Sequence, residues 1–467
     1  MADTQTPDRF VGLLAATAMG VYLLLAVGAT TAITDATAAC TAWPVCGDGW
    51  TLPTTVDGYV AVGHRLVALP VGLLVVATAV VGWRRRESRR VRAALAVSVL
   101  LYPIQAAVGA FVATSGVTLA LSALHLVVAM VIFGGLVAAL AWTLEVQTGD
   151  PDDVPESAPE PDLPPADDRS PEIPSEPVAR AKATANAYFR LMKPRLMWLL
   201  CLVASAGMAL AAGSRGLDIV TVLATLGGGA LSIGASGTFN HVLERDIDRR
   251  MNRTSDRPLA TDLVPVRNAI AFGVVLAALS LALFASVNLL AAVLGLAAIL
   301  FYSVVYTLIL KPNTVQNTVI GGAAGALPAI IGWVAVTGSI GLGGIALATL
   351  IFLWTPAHFY NLALAYKDDY ERGGFPMMPV VRGETTTRRH ILWYLGATLL
   401  AAGALAASEA LGWVYVVSGV LVGAVFLWAV VRLHYEQTES AAFRAFHASN
   451  AYLGVTLLAI VVDTLAV

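Results

Sequence analysis

A dense block of charge follows a long apolar run in this sequence: Asn240-His-Val-Leu-Glu-Arg-Asp-Ile-Asp-Arg-Arg-Met-Asn-Arg-Thr-Ser-Asp-Arg-Pro258. The block is unusual here because only 13% of the residues are charged. If the preceding helix continues, Asn240, Glu244 and Asp248 lie at about 0°, 40° and 80° around its axis. The spacing therefore predicts three oxygen-bearing side chains on one helix face, with Asp246 on another face.

Arginines follow the acidic residues at once, at Arg249, Arg250, Arg253 and Arg257. Carboxylate and amide oxygens bind hard divalent cations, and guanidinium groups bind phosphate oxygens. The block therefore predicts a site for Mg²⁺ and a diphosphate. The alternative is a solvated, positively charged cytoplasmic loop, which the arginines alone would fit. The ordered oxygen triad favours the site.

The composition is that of a polytopic membrane protein. Hydrophobic residues make up 57% of the chain, and its mean hydropathy is +0.74. The net charge of −2 says little about partners, and no basic tract indicates a nucleic-acid partner. The first residues are polar and a long apolar run follows them, so we expect a retained helix rather than a cleaved signal peptide. Cys201 lies inside an apolar run and is expected in the core.

Thirteen apolar runs are long enough to cross a membrane, and they form two groups. The first four lie near residues 10–34, 58–82, 92–114 and 117–145. The other nine lie near residues 195–213, 217–242, 266–286, 288–310, 316–337, 341–364, 390–409, 412–432 and 447–466. The sequence therefore predicts an all-α protein of the cell membrane, with a four-helix bundle joined to a nine-helix bundle.

Charge in the connections predicts the orientation of these spans. Residues 83–92 are strongly basic, whereas residues 35–57 contain no lysine or arginine. Positive charge marks cytoplasmic connections, so the first loop is external. In the second group the basic connections alternate in the same sense. The N-terminus and the charged block are then cytoplasmic, and the C-terminus is external.

The segment between the two groups is rich in proline and acidic residues and has no apolar period. We expect a disordered, extended linker at 147–184, between a domain at 1–146 and another at 185–467. An acidic segment that recruits a partner is the alternative.

A second charged loop also follows an apolar run on the cytoplasmic side. It spans Tyr366 to Pro379 and contains Asp368 and Asp369. Two acidic patches that face each other across a bundle can hold two Mg²⁺ ions on one diphosphate, stabilising the leaving pyrophosphate. Lys311, at a cytoplasmic helix end, adds a positive charge. Carboxylates are costly inside a membrane, so acidic groups at its edge usually have a purpose.

These pieces together resemble the UbiA superfamily of intramembrane prenyltransferases, and within it the protohaem IX farnesyltransferases, or haem O synthases. The resemblance covers residues 185–467. The matching pieces are Lys193-Pro-Arg; Asn240 to Pro258; Tyr306-Thr-Leu with Lys311; Gln316-Asn-Thr-Val-Ile-Gly-Gly-Ala-Ala-Gly-Ala-Leu-Pro328 through Gly332-Trp333; Trp354-Thr-Pro-Ala-His-Phe359; and Tyr366 to Pro379. Only the combination is specific.

The resemblance implies a reaction in which farnesyl diphosphate ionises, a vinyl group of haem B captures the allylic cation, and water completes haem O. It implies one Mg²⁺ cluster at Asn240, Glu244 and Asp248, and another at Asp368 and Asp369. The residues that it assigns to phosphate binding are Arg249, Arg253, Arg257 and Lys311. One departure is Glu244, where the family more often has aspartate, so the ligand role of Asp248 is the firmer one.

Three histidines have alternative interpretations. His241 is either a hydrogen-bonded core residue or part of the site. His358 lies in the haem-branch motif, which suggests contact with the haem substrate. His447, on the last span, is interpreted as structural. The farnesyl chain needs only an apolar groove, which helices rich in alanine, leucine and valine supply.

In the first group of spans, His64 and His125 stand at matching levels. Each lies about 10–12 Å from the outer end of its helix, given a rise of 1.5 Å per residue. Two neutral imidazoles at equal depth in a bundle suggest a bis-histidyl haem site. The alternative is two unrelated polar residues near the outer mouth.

This half resembles the N-terminal half of haem A synthase, on the pieces Cys40-Thr-Ala-Trp-Pro-Val-Cys46-Gly, Gly63-His64-Arg65-Leu and the His125 span. Cys40 and Cys46, in an external loop, are candidates for a disulfide. Two departures weaken an expectation of hydroxylating chemistry. The family has two such bundles where this chain has one, and Ala61 replaces an expected acidic residue. We therefore expect this half to hold haem or to pass it to a haem A synthase or terminal oxidase assembly.

Two rival functions remain open from the sequence. One is a UbiA-type prenyltransferase that acts on a quinone precursor, against which the haem-branch motifs and the histidine pair argue. The other is a transporter or haem-delivery protein without chemistry. Transporters typically show internal repeats and charge near the midplane, whereas the acidic groups here lie at the cytoplasmic edge. The expected partners are therefore farnesyl diphosphate, haem B and membrane lipid.

Overall fold

The computed structural model describes residues 7–33, 39–40, 42–46, 53–115, 118–153, 175–249, 251, 253–408 and 411–465. Within these residues all regular structure is helical. Thirteen of the described helices are long and apolar enough to cross a membrane. The predicted all-α, multi-pass architecture with four and then nine spans is therefore confirmed.

Four helices form the front bundle: α1 Arg9–Ile33, α2 Val56–Arg84, α3 Arg89–Ser115 and α4 Leu119–Thr148. The next helices are α5 Pro177–Leu191, α6 Pro194–Ala212, α7 Ile219–Leu243, α8 Arg245–Asp248, α9 Val266–Val287 and α10 Leu289–Leu300. A π-helix, Phe301–Leu310, then leads into α11 Lys311–Asn313. The chain ends with α12 Asn317–Thr337, α13 Leu342–Ala365, α14 Lys367–Arg372, α15 Met378–Arg382, α16 Glu384–Ser408, α17 Trp413–Glu436 and α18 Glu439–Leu465.

Two compact units divide the chain in a way that differs from the domains expected from chain order. One unit comprises residues 1–152 and 388–463, and the other comprises residues 153–387 and 464–467. Most of α16, with α17 and α18, thus belongs to the unit that contains the front bundle. The sequence boundaries 1–146, 147–184 and 185–467 stay a prediction about domains.

Packing in the first unit joins the front bundle to the later helices. Thr17 on α1 and Thr78 on α2 are fully buried and share a hydrogen bond of 2.7 Å between their hydroxyls. On α17, Tyr435 donates from its hydroxyl to the side-chain oxygen of Gln147 at 2.8 Å. Gln147 in turn donates to Asp8 at 3.2 Å. Two buried hydroxyls and three partly buried polar side chains are therefore paired within the unit.

The predicted linker is shorter than expected at its described end. Residues 154–174 lie outside the described residues. The helix α5 already begins at Pro177, inside the segment expected to be disordered. Proline at the first helical position is pre-organised for a helix, and the following Ala-Arg-Ala-Lys-Ala sequence consists of strong helix formers.

Glycines let two helices of the second unit meet backbone to backbone. A Cβ added at Gly332 on α12 would lie 2.1 Å from the carbonyl oxygen of Ala204 on α6, and one at Gly207 would lie 2.4 Å from that of Ala329. Small residues at such crossings allow close van der Waals packing inside a membrane. This crossing fixes the position of α6, whose first residues reach the functional site.

Replacing Gly332 by alanine should therefore destabilise the fold. The added methyl group must displace backbone, and overpacking of this kind costs about 1–3 kcal/mol. We expect a lower thermal unfolding midpoint of the detergent-solubilised protein. Gly229→Ala is the matched control, because nothing lies within 4 Å of a Cβ at that helical position. Equal midpoints for the two variants would contradict the close crossing.

Candidate functional site

The oxygen triad predicted on one helix face lies at the end of α7. The helix is interrupted at Glu244, whose φ of −97° and ψ of 3° are not helical. Backbone bonds still join Glu244 N to Asn240 O at 2.9 Å and Asp248 N to Glu244 O at 2.8 Å, so the four-residue spacing is kept. All three side chains are buried. Asp246 is exposed, as its predicted face requires.

Both buried carboxylates are paired with cations. Lys311 Nζ donates to Glu244 Oε1 at 2.5 Å. The guanidinium of Arg257 donates to the two oxygens of Asp248 at 2.8 and 2.7 Å, and it also lies 3.9 Å from Glu244 Oε2. A buried charge requires this kind of pairing. We call the following six side chains the charged cluster: Lys193, Asn240, Glu244, Asp248, Arg257 and Lys311.

The two carboxyl groups differ in how burial and neighbouring charges balance. Burial alone would raise the pKa of Glu244, but the charges of Lys311 and Lys193 outweigh it and hold that pKa below its usual value. For Asp248 burial is the stronger effect, and it raises the pKa despite the nearby Arg257. The ionised form is therefore more strongly favoured for Glu244 than for Asp248.

Lys193 was missed as a site residue by the sequence analysis. Its Nζ donates to Asn240 Oδ1 and, at 3.2 Å, to the hydroxyl of Tyr302. The residue has a positive φ of 54° just before Pro194, a strained conformation of the kind found at functional sites. Burial, followed by the positive charge of Arg257, lowers the pKa of Lys193 to about 7. The signal was present in the Lys193-Pro-Arg motif, which had served only as a family marker.

A π-helix supports the charged cluster through hydrogen bonds and leads directly into Lys311. Asn240 Nδ2 donates to Thr307 Oγ1 at 3.1 Å, and this hydroxyl donates to the Tyr302 carbonyl at 2.9 Å. Lys311 follows at the end of the same segment. The wider turn of a π-helix changes which residues share a face, and such segments often occur at functional sites. Asn240 is thus fixed from two sides.

The second acidic loop presents its two aspartates differently. Asp369 is buried, and its Oδ1 accepts from Arg372 at 3.4 Å. Asp368 is exposed. Only one carboxylate of the predicted second cluster therefore lies inside the protein, and the metal role of Asp368 stays a prediction with weaker structural support.

The two charged loops pack against each other, as expected for patches that serve one site. Their common apolar core includes residues from both loops: Ile247, Met251, Tyr370, Phe375 and Met377. The guanidinium of Arg253 lies over the rings of Tyr366 and Tyr370, at 4.9 and 5.1 Å from their centroids. Lys311 Nζ lies 4.4 Å from the ring centroid of Phe375. Aromatic faces favour cations at such distances.

Arg249 is placed away from the charged cluster. Its guanidinium donates to Asp262 Oδ2 at 2.5 Å, and Asp262 is largely exposed. Its predicted contact with phosphate therefore stays a prediction, whereas Arg257 and Lys311 lie beside the triad.

The donor set suits a hard metal ion, although the carboxylates are now paired with cations. Among the described residues, no group of three or more His, Cys, Asp or Glu side chains lies in a metal-binding arrangement. The triad nevertheless offers one amide and two carboxylate oxygens on one side of a helix end, which is the chemistry that Mg²⁺ prefers. Arg257 and Lys311 balance the two carboxylates of the charged cluster, and Lys193, with its pKa of about 7, adds positive charge when it is protonated. This positive charge favours an anionic ligand.

The chain is similar to known prenyltransferases along most of its length. Residues 199–453 match the UbiA prenyltransferase family. A protohaem IX farnesyltransferase from Haloquadratum walsbyi is 67% identical over 465 residues, covering 98% of this chain and 97% of that protein. One from Haloarcula marismortui is 66% identical over 468 residues, covering 100% of both chains.

This chain belongs to the UbiA prenyltransferase family. Its fold is also similar to that of a solved digeranylgeranylglyceryl phosphate synthase, with a TM-score of 0.51 at 16% identity, covering 61% of this chain and 99% of that chain. Residues 11–163 match a second family, described as cytochrome oxidase assembly protein. The chain is therefore a prenyltransferase with an additional membrane domain in front.

The three histidines with alternative interpretations lie on three different helices. His358 on α13 is buried and stacks on Trp354, with ring centroids 4.3 Å apart. His241 follows Asn240 directly and is also buried. His447 is exposed on α18. The expected haem contact of His358 stays a prediction.

In the front bundle, both candidate haem ligands face glycines on neighbouring helices. A Cβ at Gly28 would lie 3.3 Å from His64 Cε1, and one at Gly109 would lie 2.9 Å from His125 Cε1. The buried Nδ1 atoms of His64 and His125 have no hydrogen-bond partner among the described residues. Ala61 is buried on the same helix as His64. The two glycines thus let the imidazoles pack closely against the neighbouring helices, with one buried nitrogen on each ring that no described residue pairs.

A loop closed by a disulfide contacts Arg65, the residue that follows His64. Cys40 and Cys46 are joined, with a Cα–Cα distance of 4.3 Å. The guanidinium of Arg65 donates to the carbonyl oxygens of Cys40, Ala42 and Val45 at 3.0, 2.7 and 2.9 Å. The described part of this loop is therefore held by the residue that follows the candidate ligand.

Removing the cation of one buried pair tests the charge balance of this prenyltransferase site. Lys311→Met leaves the Glu244 carboxylate, only 9% exposed, without its main partner. Breaking such a pair costs about 3 kcal/mol, so we expect a lower thermal unfolding midpoint. Combining Lys311→Met with Glu244→Gln should recover most of that loss, because no buried charge is then left unpaired.

Lys367→Met is the matched control for this prediction. Its pair with Glu384, at 3.3 Å, is far more exposed, and exposed pairs contribute about 0–1 kcal/mol. An undiminished loss of stability in the double variant would show that Lys311 acts through packing rather than through its charge.

Proposed function

We propose that this chain is a protohaem IX farnesyltransferase that converts haem B and farnesyl diphosphate to haem O. The observation that carries the proposal is the 67% identity with a relative of that name over nearly the whole chain. The charged cluster supports it, because its buried oxygens and excess cations suit a metal-bound diphosphate.

In the proposed reaction the bond between farnesyl C1 and oxygen breaks, and its electron pair leaves with pyrophosphate. The π-electrons of a haem vinyl group then form a carbon–carbon bond to the allylic cation. A water oxygen adds to the resulting side-chain cation and releases a proton to solvent. When bound, Mg²⁺ neutralises charge on the diphosphate and so favours its departure.

The residues of the charged cluster divide the work of binding. Asn240, Glu244 and Asp248 are the proposed metal ligands. Lys311 and Arg257 would exchange their carboxylate partners for phosphate oxygens as substrate and metal arrive together. Arg257 binds two oxygens at once, which suits phosphate as well as carboxylate. Lys193 adds a third cation beside Asn240 and is proposed to contact the diphosphate.

The second loop would close the same site. Asp369 is buried next to Tyr370, one of the two rings that hold Arg253, and it is the proposed ligand of a second metal ion. The exposed Asp368 has weaker support for this role. Arg253 is held between Tyr366 and Tyr370, so its guanidinium is pre-oriented. Pre-oriented charge stabilises a leaving anion without reorganisation cost at the moment of reaction.

The orientation of the membrane spans is also proposed. The site lies where α7, the π-helix and α13 end and where α6 begins, which is one end of these helices. The connections at this end carry Arg249, Arg253 and Arg257, so the positive-inside rule places them in the cytoplasm. With thirteen spans, the N-terminus is then cytoplasmic and the C-terminus external.

The front bundle is proposed to hold a haem between His64 and His125. The match to a cytochrome oxidase assembly family supports this, as do the Nδ1 atoms of the two imidazoles, which are unpaired among the described residues. The bundle would hold haem or deliver it to a haem A synthase or oxidase assembly. Hydroxylating chemistry is not proposed, because the chain has one such bundle and Ala61 in place of an acidic residue.

The transferase proposal predicts haem O from the purified protein. Detergent-solubilised protein is incubated with haem B, farnesyl diphosphate and Mg²⁺, and extracted haems are analysed by chromatography and mass spectrometry. Asp248→Ala should reduce the rate at least about 100-fold, because it removes a ligand of the metal ion that binds the diphosphate. The exposed Asp246→Ala is the matched control and should keep its activity.

Unchanged haem B with folded wild-type protein would overturn the haem assignment. Quinone precursors would then be the acceptors to test, as the alternative substrate class for a UbiA-type enzyme. A further product, haem A, would show that the front bundle adds oxidation chemistry.

The front-bundle proposal predicts a haem spectrum that depends on two residues. Wild-type protein reconstituted with haem B should show the absorption of low-spin, bis-histidyl haem. His64→Ala and His125→Ala should each lose it while haem O formation continues, because the transferase residues are unchanged. His447→Ala is the control. An unchanged spectrum in the double variant of His64 and His125 would exclude this site.

A further inference from the structure

His241 occupies an unusual position beside the charged cluster. It follows Asn240 on α7 and is only 4% exposed. Both of its ring nitrogens are buried and have no hydrogen-bond partner among the described residues. A buried polar group without a partner costs about 1–3 kcal/mol. An apolar side chain would avoid this cost, so the imidazole calls for a functional explanation.

The nearest acidic group to this imidazole is a proposed metal ligand. His241 Nδ1 lies 4.0 Å from Asp248 Oδ2. The two residues are two helical turns apart in sequence, which places them on nearly the same face of a continuing helix. Side chains on a helix also lean toward its N-terminus, so Asp248 extends back toward His241.

Arg257 currently takes the hydrogen bonds that Asp248 accepts. Its guanidinium lies 2.7 Å from the same Oδ2 atom. If Arg257 turns to a phosphate, as the proposed function requires, this oxygen loses its donor while the carboxylate stays buried. His241 Nδ1, 4.0 Å from this oxygen and without another partner among the described residues, can then donate to it, and a small side-chain rotation brings it into bonding distance.

We infer that His241 is a positioning residue for Asp248. In the substrate complex its Nδ1–H donates to Asp248 Oδ2 and orients the carboxylate toward the metal ion. This inference rests on the proposed function, because it requires a metal at Asp248. It assigns no proton transfer to the imidazole. A hydrogen bond to a ligating carboxylate fixes its orientation, and losing such a partner typically weakens metal affinity about 10–100-fold.

The geometry makes a distinction that substitution can test. The amide nitrogen of asparagine replaces histidine Nδ1, whereas that of glutamine replaces Nε2. His241→Asn therefore keeps a donor on the side of Asp248, and His241→Gln moves it away. His241→Leu keeps the bulk and removes both donors. A merely structural role would make asparagine, the smaller residue, the more disruptive amide.

The test measures metal affinity rather than activity alone. Free Mn²⁺ is followed by electron paramagnetic resonance as it is titrated into the purified full-length protein with inorganic pyrophosphate present. We expect His241→Gln and His241→Leu to weaken Mn²⁺ binding about 10–100-fold, with His241→Asn within about threefold of wild type. The exposed His447→Gln is the control. Thermal unfolding of each variant confirms that it is folded.

The other outcomes separate the inference from the proposed function. Equal losses for asparagine and glutamine would show that His241 acts through packing, and wild-type affinity in the glutamine and leucine variants would show that it has no role at the metal. Nitrogen coupling from a directly bound imidazole would replace positioning by ligation. Failure of wild type to bind Mn²⁺ would overturn both the inference and the proposed metal cluster. Normal Mn²⁺ binding without haem O formation would overturn only the proposed reaction.

Discussion

Two carboxylates that are withdrawn from water at a membrane edge impose the main constraint on this protein. Glu244 and Asp248 are buried, and each requires a cation in the folded state. A buried ion pair is weak evidence for stability, because apolar side chains of similar size often serve the fold at least as well. Retention of two such pairs at one helix end is therefore better explained by chemistry than by folding. The same pairs hold Lys311 and Arg257 in place before any ligand arrives.

The polar groups of the site come from irregular backbone. A membrane favours uninterrupted helices, because every backbone group must be satisfied within the segment. The chain departs from this regularity where chemistry is needed: at the break in α7 at Glu244, at the positive φ of Lys193, and in the π-helix Phe301–Leu310. Each departure places a polar side chain at the same end of the helices. The long apolar helices fix the positions of these side chains, and the interruptions in the helices provide the polar groups of the site.

The features that the sequence predicted are determined within a single helix. The spans follow from apolar length, and the burial of the triad follows from its four-residue spacing. What it missed depends on tertiary pairing. Asp368 and Asp369 are neighbours in sequence, and only packing against the first loop decides that Asp369 is the buried one. Lys193 reaches Asn240 from another helix, and no periodicity shows such a contact. The grouping of α17 with the front bundle likewise follows from tertiary packing rather than from chain order.

The paired state of the charged cluster also has a consequence for ligand binding. A metal ion alone would take the carboxylates from Lys311 and Arg257 and leave two cations unpaired in a partly buried site. A diphosphate alone would take the cations and leave Glu244 and Asp248 unpaired. Only both ligands together satisfy all four side chains, so each must raise the affinity for the other by the same factor. On the proposed function, the cost of burying unpaired charge would thus become a coupling free energy, and the site would favour the metal–diphosphate complex over either component.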